Sequence, residues 1–268
     1  MSLTRPARRL ALVLITLALT AAGRSSVSVA SSYTENFDNL GTALPNGWGV
    51  WTASTATDNG TPFAWSTTNV ANNAAATADT YFRNLPGASQ TWSSTFSGGD
   101  DRALGWRAGS AASRDGSITF TWTNTSSWSF SSLSFDLFTP NSSGTTASFN
   151  LEYQIGATGT FFQLAGKSYT TVPTPTAPAV LAVSSISLTA LDLTALNDQS
   201  GLVTLRLNNN ASTGSTFHTV ALDNFHYTAS TTAIPEPASY GALGGAAALA
   251  LALARRQRRR ERVAGERS

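Results

Sequence analysis

Acid–base, metal and nucleophilic chemistry need carboxylates, imidazoles or thiolates that converge, and this chain is poor in all three. It has no cysteine, which excludes disulfides, thiolate metal sites and cysteine nucleophiles. Its histidines, His218 and His226, are spaced for neither a zinc motif nor one face of a helix. The many serines include no Gly-x-Ser-x-Gly elbow. Hydrolysis of a glycosidic bond requires two carboxyl groups facing each other across a cleft. Between residues 31 and 229 the only glutamates are Glu35 and Glu152, and Glu152 alternates out of phase with Leu151 and Tyr153. It is expected to face solvent rather than a groove, and the chain is expected not to be an enzyme.

Aromatic residues offer a different chemistry. There are 7 tryptophans in 268 residues, more than a core of this size needs. Exposed indoles stack on pyranose faces, while buried ones plug the ends of a β-sandwich. Trp48, Trp51, Trp65, Trp92 and Trp106 lie in or beside an irregular stretch. Trp48, Trp51 and Trp65 are the candidates for stacking on a glycan.

The elements that must position these residues read as strands. Apolar residues alternate at Ile118, Phe120 and Trp122, at Phe149, Leu151, Tyr153 and Ile155, and at Val203, Leu205 and Leu207. Trp128 and Phe130 are followed by Leu133, Phe135 and Leu137, a slip of one residue that predicts a β-bulge or a bend between two sheets. Gly, Asn, Ser and Pro punctuate the runs. Residues 40–113 are less regular, with Trp48–Trp51 and Phe63–Trp65 as short strands between polar loops. The apolar stretch Leu181–Leu196 reads as one or two strands, followed by a turn at Asn197–Gly201. Many short strands without helices predict an all-β, two-sheet antiparallel sandwich.

Charge separates three regions. The pI of about 9.2 would suit a nucleic-acid partner, but the arginines cluster at the ends. Residues 31–229 hold only Arg83, Arg102, Arg107, Arg114, Lys167 and Arg206 as cations, outnumbered by acids such as Glu35, Asp38, Asp100, Asp101 and Asp223. A phosphate backbone would be repelled, so no nucleic acid is expected as a partner. Arg5, Arg8 and Arg9, the apolar run Leu10–Ala22, and small residues at Ala22 or at Ser28-Val29-Ala30 make residues 1–30 a signal peptide for the Sec export machinery. Cleavage after Ala22 and after Ala30 both satisfy the small-x-small requirement.

At the other end, Ile234-Pro235-Glu236-Pro237 precedes the uncharged stretch Ala238–Ala254 and a cluster running from Arg255 to Arg262. At 1.5 Å per residue the apolar stretch makes about 25 Å of helix, near the minimum for a bilayer core. The arginines would hold its end in the cytoplasm. The order of Pro235, Glu236 and Pro237, membrane helix and arginine cluster resembles the PEP-CTERM sorting signal. That resemblance implies an exosortase-like processing enzyme as a partner. It also implies an inner-membrane intermediate in a Gram-negative bacterium, then the cell surface or an extracellular matrix with exopolysaccharide and biofilm.

The expected organisation is a signal peptide over 1–30, a β-sandwich over 31–229, a linker over 230–234 and a sorting tail over 235–268. Tyr33-Thr34-Glu35-Asn36-Phe37-Asp38 near the start, DRALGWRAG from Asp101, and Val220-Ala221-Leu222-Asp223-Asn224-Phe225 near the end resemble jelly-roll modules of the carbohydrate-binding, concanavalin-like kind. Such a resemblance implies one structural Ca²⁺ between the first and last strands, with Glu35 and Asp223 as oxygen ligands. It also implies carbohydrate as the alternative ligand of an otherwise non-catalytic surface protein. Processing at the motif is directly checkable: with one epitope tag before Pro235 and another after Arg262, the two are expected to separate on gels in exosortase-positive cells. Tags that always migrate together would rule the processing out.

Overall fold

In chain order the strands are β1 (Ser32–Glu35), β2 (Trp48–Thr52), β3 (Thr61–Pro62), β4 (Phe82–Pro86), β5 (Thr91–Trp92), β6 (Arg102–Arg107) and β7 (Ser117–Trp122). They continue as β8 (Trp128–Phe138), β9 (Ser148–Ile155), β10 (Phe162–Thr170), β11 (Ala179–Val180), β12 (Val183–Thr189), β13 (Val203–Asn209) and β14 (Thr219–Thr231). The computed structural model describes residues 25–40, 43–65, 82–87, 91–92, 101–107, 116–138, 148–170, 179–180, 182–209, 219–232, 248–250 and 255. The apolar signal segment, the Pro235–Pro237 motif and most of the expected membrane helix lie outside these residues. Within the tail, Ala248–Ala250 and Arg255 are helical. Among the described residues no helix is long and apolar enough to cross a membrane.

The strands form two antiparallel sheets packed face to face. The first runs β12-β8-β14-β6-β4, with β1 also on β14; the second runs β10-β9-β13-β7-β2-β3. A separate ribbon pairs β5 with β11. The long strand β14 meets β8 on one side. On its other side it meets β6 through Thr219–Leu222 and then β1 through Phe225–Thr228. The partner changes at Asp223–Asn224, where the ladder to β8 shifts register and Asn224 takes a positive φ of 51°. That conformation suits asparagine, whose short polar side chain tolerates it.

Alternation delivers one apolar face from each sheet to a common core. Ile118, Phe120 and Trp122 face Leu133, Phe135, Leu222, Phe225 and Tyr227 across the sandwich. Phe120 lies at the centre of an aromatic cluster, with ring centroids 5.0 Å from Tyr33, 5.0 Å from Trp48, 4.9 Å from Trp122 and 5.2 Å from Phe225. Offset and edge-on ring pairs of this kind add to what burial alone contributes.

Two open expectations about local structure are narrowed and a third is corrected. The slip in β8 is a bulge within one strand: Thr228 pairs with Ser132 and Ala229 with Phe130, so Ser131 is skipped and the strand stays in its sheet. Leu181–Leu196 supplies one strand, β12, and then a turn with a short 3₁₀ segment at Thr194–Leu196. Leu193 and Leu196 point into the core from that turn, which is why the stretch reads as apolar without being a second strand. Phe63–Trp65 is not a strand: β3 covers Thr61–Pro62, and one further backbone bond, from the Phe63 amide to the Val50 carbonyl at 2.9 Å, continues it onto β2.

Burial holds the Tyr33 phenol above the ordinary tyrosine range, and pushes that of Tyr169 up to about 12, with the charge of Asp192 adding to the rise. The folded state therefore favours both phenols neutral. Their contribution is complete below the ordinary value of 10.0 and is lost as pH climbs through the raised values. With no cysteine and a single lysine, tyrosines are the main side chains whose ordinary values fall near that window. The urea midpoint is expected to fall between about pH 9 and about pH 11.5, and Tyr33→Phe with Tyr169→Phe is expected to flatten that fall.

Candidate functional site

The face of the second sheet turned away from the core carries the richest set of polar side chains. Because neighbours alternate, β7 presents Ser117, Thr119 and Thr121 there, β13 presents Thr204, Arg206 and Asn208, and β9 presents Asn150, Glu152 and Gln154. Register aligns them in rows. The central row runs Gly49, Thr119, Arg206, Glu152 and Gln163 across five strands. A flanking row runs Trp51, Ser117, Asn208 and Asn150.

An open sheet face of this composition would be wet, but this one is roofed. The β2–β3 loop, residues 53–60, folds over it between Ala53 and Gly60, both at positive φ. A Cβ on Gly60 would come within 2.1 Å of the Thr52 carbonyl oxygen, so only glycine fits. The Ser54 hydroxyl donates to the Asn59 carbonyl at 2.6 Å and bonds the Ser117 hydroxyl at 2.8 Å. From the other side the Phe161 amide donates to the Ala56 carbonyl. Thr119, Thr121, Thr204, Gln154 and Arg206 are all buried beneath.

Arg206 holds the roof down. Its guanidinium is fully buried. Nε and Nη2 donate to Glu152 Oε2 at 2.8 and 2.5 Å, and Nη1 donates to the carbonyls of Thr55 and Asp58 at 3.0 and 2.9 Å. The guanidinium carbon Cζ lies 3.4 Å from the centre of the Phe161 ring, a cation–π contact. Burial pulls the arginine down from its ordinary value, and the neighbouring Glu152 charge opposes that shift. Glu152 therefore faces neither solvent nor a groove. Alternation assigned its face correctly, but the loop that covers that face is distant in sequence.

This arrangement is a clamp. One oxygen of Glu152 takes two donors from Arg206, and the carboxylate of Asp58 turns back to its own loop, accepting from the Gly60 amide. Among the described residues, no second carboxyl is set opposite Glu152 as glycoside hydrolysis requires. At the β2 end of the central row the packing is tight: a Cβ on Gly49 would lie 2.9 Å from both Thr119 Oγ1 and Trp51 Nε1. Inside the sandwich, the void of about 10 Å³ between Trp48, Phe120, Phe135 and Phe225 holds at most one water.

The three tryptophan candidates serve packing. Trp48 is buried against Phe37, Phe120 and Phe225, and its Nε1 donates to the Tyr33 hydroxyl at 3.0 Å. Trp51 is buried under the loop and donates to Thr119 Oγ1 at 2.8 Å. Trp65 is half-buried against the core. Trp48 and Trp51 therefore offer no open indole face to a sugar, while Trp65 keeps part of its surface exposed. Sequence reading missed the one aromatic that is exposed among the described residues. Phe162 is 57% exposed and Ile155 37% exposed, beside half-buried Tyr153, whose ring centroid lies 5.9 Å from that of Phe162. The adjacent pair Phe161–Phe162 carries the signal, since alternation sends one ring under the roof and leaves the other outside.

Glu35 and Asp223 come close in the ladder, as neighbours on paired strands: Glu35 aligns with Phe225. They do not converge. Glu35 shares the core-side phase of Tyr33, while Asp223 follows core-facing Leu222 and takes the opposite face. Glu35 accepts from the Phe37 amide at 2.9 Å and the Tyr33 hydroxyl at 3.3 Å; Asp223 is buried and accepts from the Asn224 amide at 2.7 Å. Among the described residues no three His, Asp or Glu side chains group to hold a metal. As placed, these two carboxylates do not fit a Ca²⁺ ion. His226 bonds Thr34 across the same strand pair at 2.9 Å, and His218 lies outside the described residues.

No protein family matches the chain, and no curated protein does. Among solved structures it is similar to a cleaved adhesin domain of Lys-gingipain from Porphyromonas gingivalis, at 12% identity, 74% of this chain, 98% of that one and a TM-score of 0.40. A family 11 carbohydrate-binding module from Clostridium thermocellum, in complex with a mixed-linked tetrasaccharide, gives 10% identity, 75% and 97% coverage and a TM-score of 0.36. A carbohydrate-binding module specific for non-crystalline cellulose gives 16% identity, 50% and 79% coverage and a TM-score of 0.35. Likeness at this level leaves the function to be argued from the chain's own residues.

Removing Glu152 while keeping Arg206 would strand a buried guanidinium. Glu152→Ala is expected to cost about 3–5 kcal/mol in chemical denaturation and to speed hydrogen exchange at the amides of residues 53–60. A neutral effect on both would show that the roof does not depend on the pair.

Proposed function

We propose that this chain is a non-catalytic exported β-sandwich of the bacterial surface or extracellular matrix, sorted through an exosortase-like system and linked to exopolysaccharide or biofilm. The observation that carries the non-catalytic part is the Arg206–Glu152 clamp. The glutamate best placed by sequence for acid–base work is spent on holding a loop. The sorting part rests on Pro235, Glu236 and Pro237 ahead of an apolar stretch and an arginine cluster. Carbohydrate binding is the second reading, and the solvent-facing ring of Phe162 beside Tyr153 and Ile155 favours it. An aromatic ring open on one side is what a pyranose face stacks on.

The experiment pairs a reducing-end assay on a polysaccharide panel with affinity electrophoresis against the host's own exopolysaccharide. No turnover is expected. Retardation that Phe162→Ala relieves, while Trp48→Phe leaves it unchanged, would establish the binding reading. Turnover abolished by Glu152→Gln would overturn the proposal and make the protein an enzyme.

A further inference from the structure

Residues 25–31 precede the first strand, yet they are built into both sheets. Val27 donates its amide to the Thr121 carbonyl at 3.0 Å and accepts from the Thr123 amide at 2.8 Å. These bonds make a parallel bridge to Trp122. The bridge continues the line of β2 along β7, whose pairing with β2 stops at Phe120. Ser25 Oγ accepts from the Gly47 amide at 2.9 Å. At the other sheet the Ser31 carbonyl accepts from the Ala229 amide at 2.9 Å, and the Ala30 amide donates to the Tyr227 hydroxyl at 3.4 Å. The segment thus crosses from the second sheet to the first and closes that side of the sandwich.

Its side chains fit the same role. Val27 and Val29 pack against the core, alternating with exposed Ser28 and Ala30. Gly47 sits at a φ of +88°, and a Cβ there would lie 3.2 Å from a Val27 methyl and 2.9 Å from the Phe120 ring. The absence of a side chain at Gly47 is what admits Val27. A chain beginning at Ser31 would leave the Thr121 carbonyl of β7 and the Thr123 amide just beyond it without these partners and uncover the apolar surface that Val27 and Val29 seal.

Two small-x-small positions, ending at Ala22 and at Ala30, satisfy a signal peptidase. We propose that export processing hydrolyses the Ala22–Gly23 peptide bond, and that residues 25–31 remain in the mature protein as its closing edge strand. The cut consumes one water, leaving a carboxylate on Ala22 and a new amine on Gly23. This inference rests on the export reading above and goes beyond it by choosing the bond.

The test uses the full chain, expressed in a Gram-negative host, with the exported product examined by N-terminal sequencing and intact mass. The expected first residues are Gly23, Arg24 and Ser25. A product beginning Ser31-Ser32-Tyr33 would overturn the choice of bond and leave export standing. A chain that is never cut would overturn both. Ala22→Tyr, which places a bulky side chain before the proposed bond, is expected to block processing. Ala30→Tyr, at an exposed position, is expected to leave the wild-type product, and the reverse pattern would overturn the proposal. In the purified exported protein, Val27→Asp is expected to lower the melting temperature by several degrees; an unchanged melting temperature would deny the segment its structural role.

Discussion

A strand in the middle of a sheet must find hydrogen-bond partners along both of its edges, because water does not reach its backbone. β14, the longest strand in the fold, sets this requirement for the whole first sheet. β8 satisfies one edge. No single strand satisfies the other, so β6 and β1 share it end to end, and the bulge at Asp223–Asn224 falls where one hands over to the other. β7 repeats the arrangement in the second sheet, with β2 and then Val27 along one edge. Both solutions draw on the first residues of the described chain. The start of the domain is therefore stitched to its end, and Ala229 and Ser31 are hydrogen-bonded neighbours.

With the core filled by rings, the second sheet's outer face had to be made compatible with burial. The fold covers it with the β2–β3 loop, and a loop laid on a sheet brings carbonyl groups that must be satisfied. Arg206 is suited to this because its donors spread in a planar fork: two directions reach Glu152 and one reaches the loop carbonyls, while Cζ lies over the Phe161 ring. A lysine has no such fork. The charge is tolerated in a dry place because it is paired and hydrogen-bonded at the same time.

These two solutions explain why the molecule looks like a scaffold. Glu35 and Asp223 accept from backbone amides, Trp48, Trp106 and Trp122 fill the core, and the buried Arg206 ties a loop to a sheet. Among the described residues the solvent-facing side chains are mostly polar, with Phe162, Leu191 and Ile155 as apolar exceptions on the sandwich.

Period-two patterns at Ile118–Trp122, Phe149–Ile155 and Val203–Leu207 sufficed to read the fold class, because burial on one side of a pleated strand imposes that period whatever the neighbours are. The slip between Phe130 and Leu133 announced its bulge for the same reason. The expectations of an export signal and a sorting tail rest on local composition alone, in stretches that lie largely outside the described residues. What a side chain meets depends on which distant segment covers it. Glu152 and Arg206 are far apart in sequence and become partners only through the β9–β13 register. Trp48 and Trp51 look like ligand-binding residues until Phe225 and the 53–60 loop close over them. Glu35 and Asp223 are neighbours in the ladder, as the ends of a sandwich allow, yet the phase of two strands puts them on opposite faces. Periodicity is a property of one strand and can be read from it; contact is a property of two, and only the tertiary structure supplies the second.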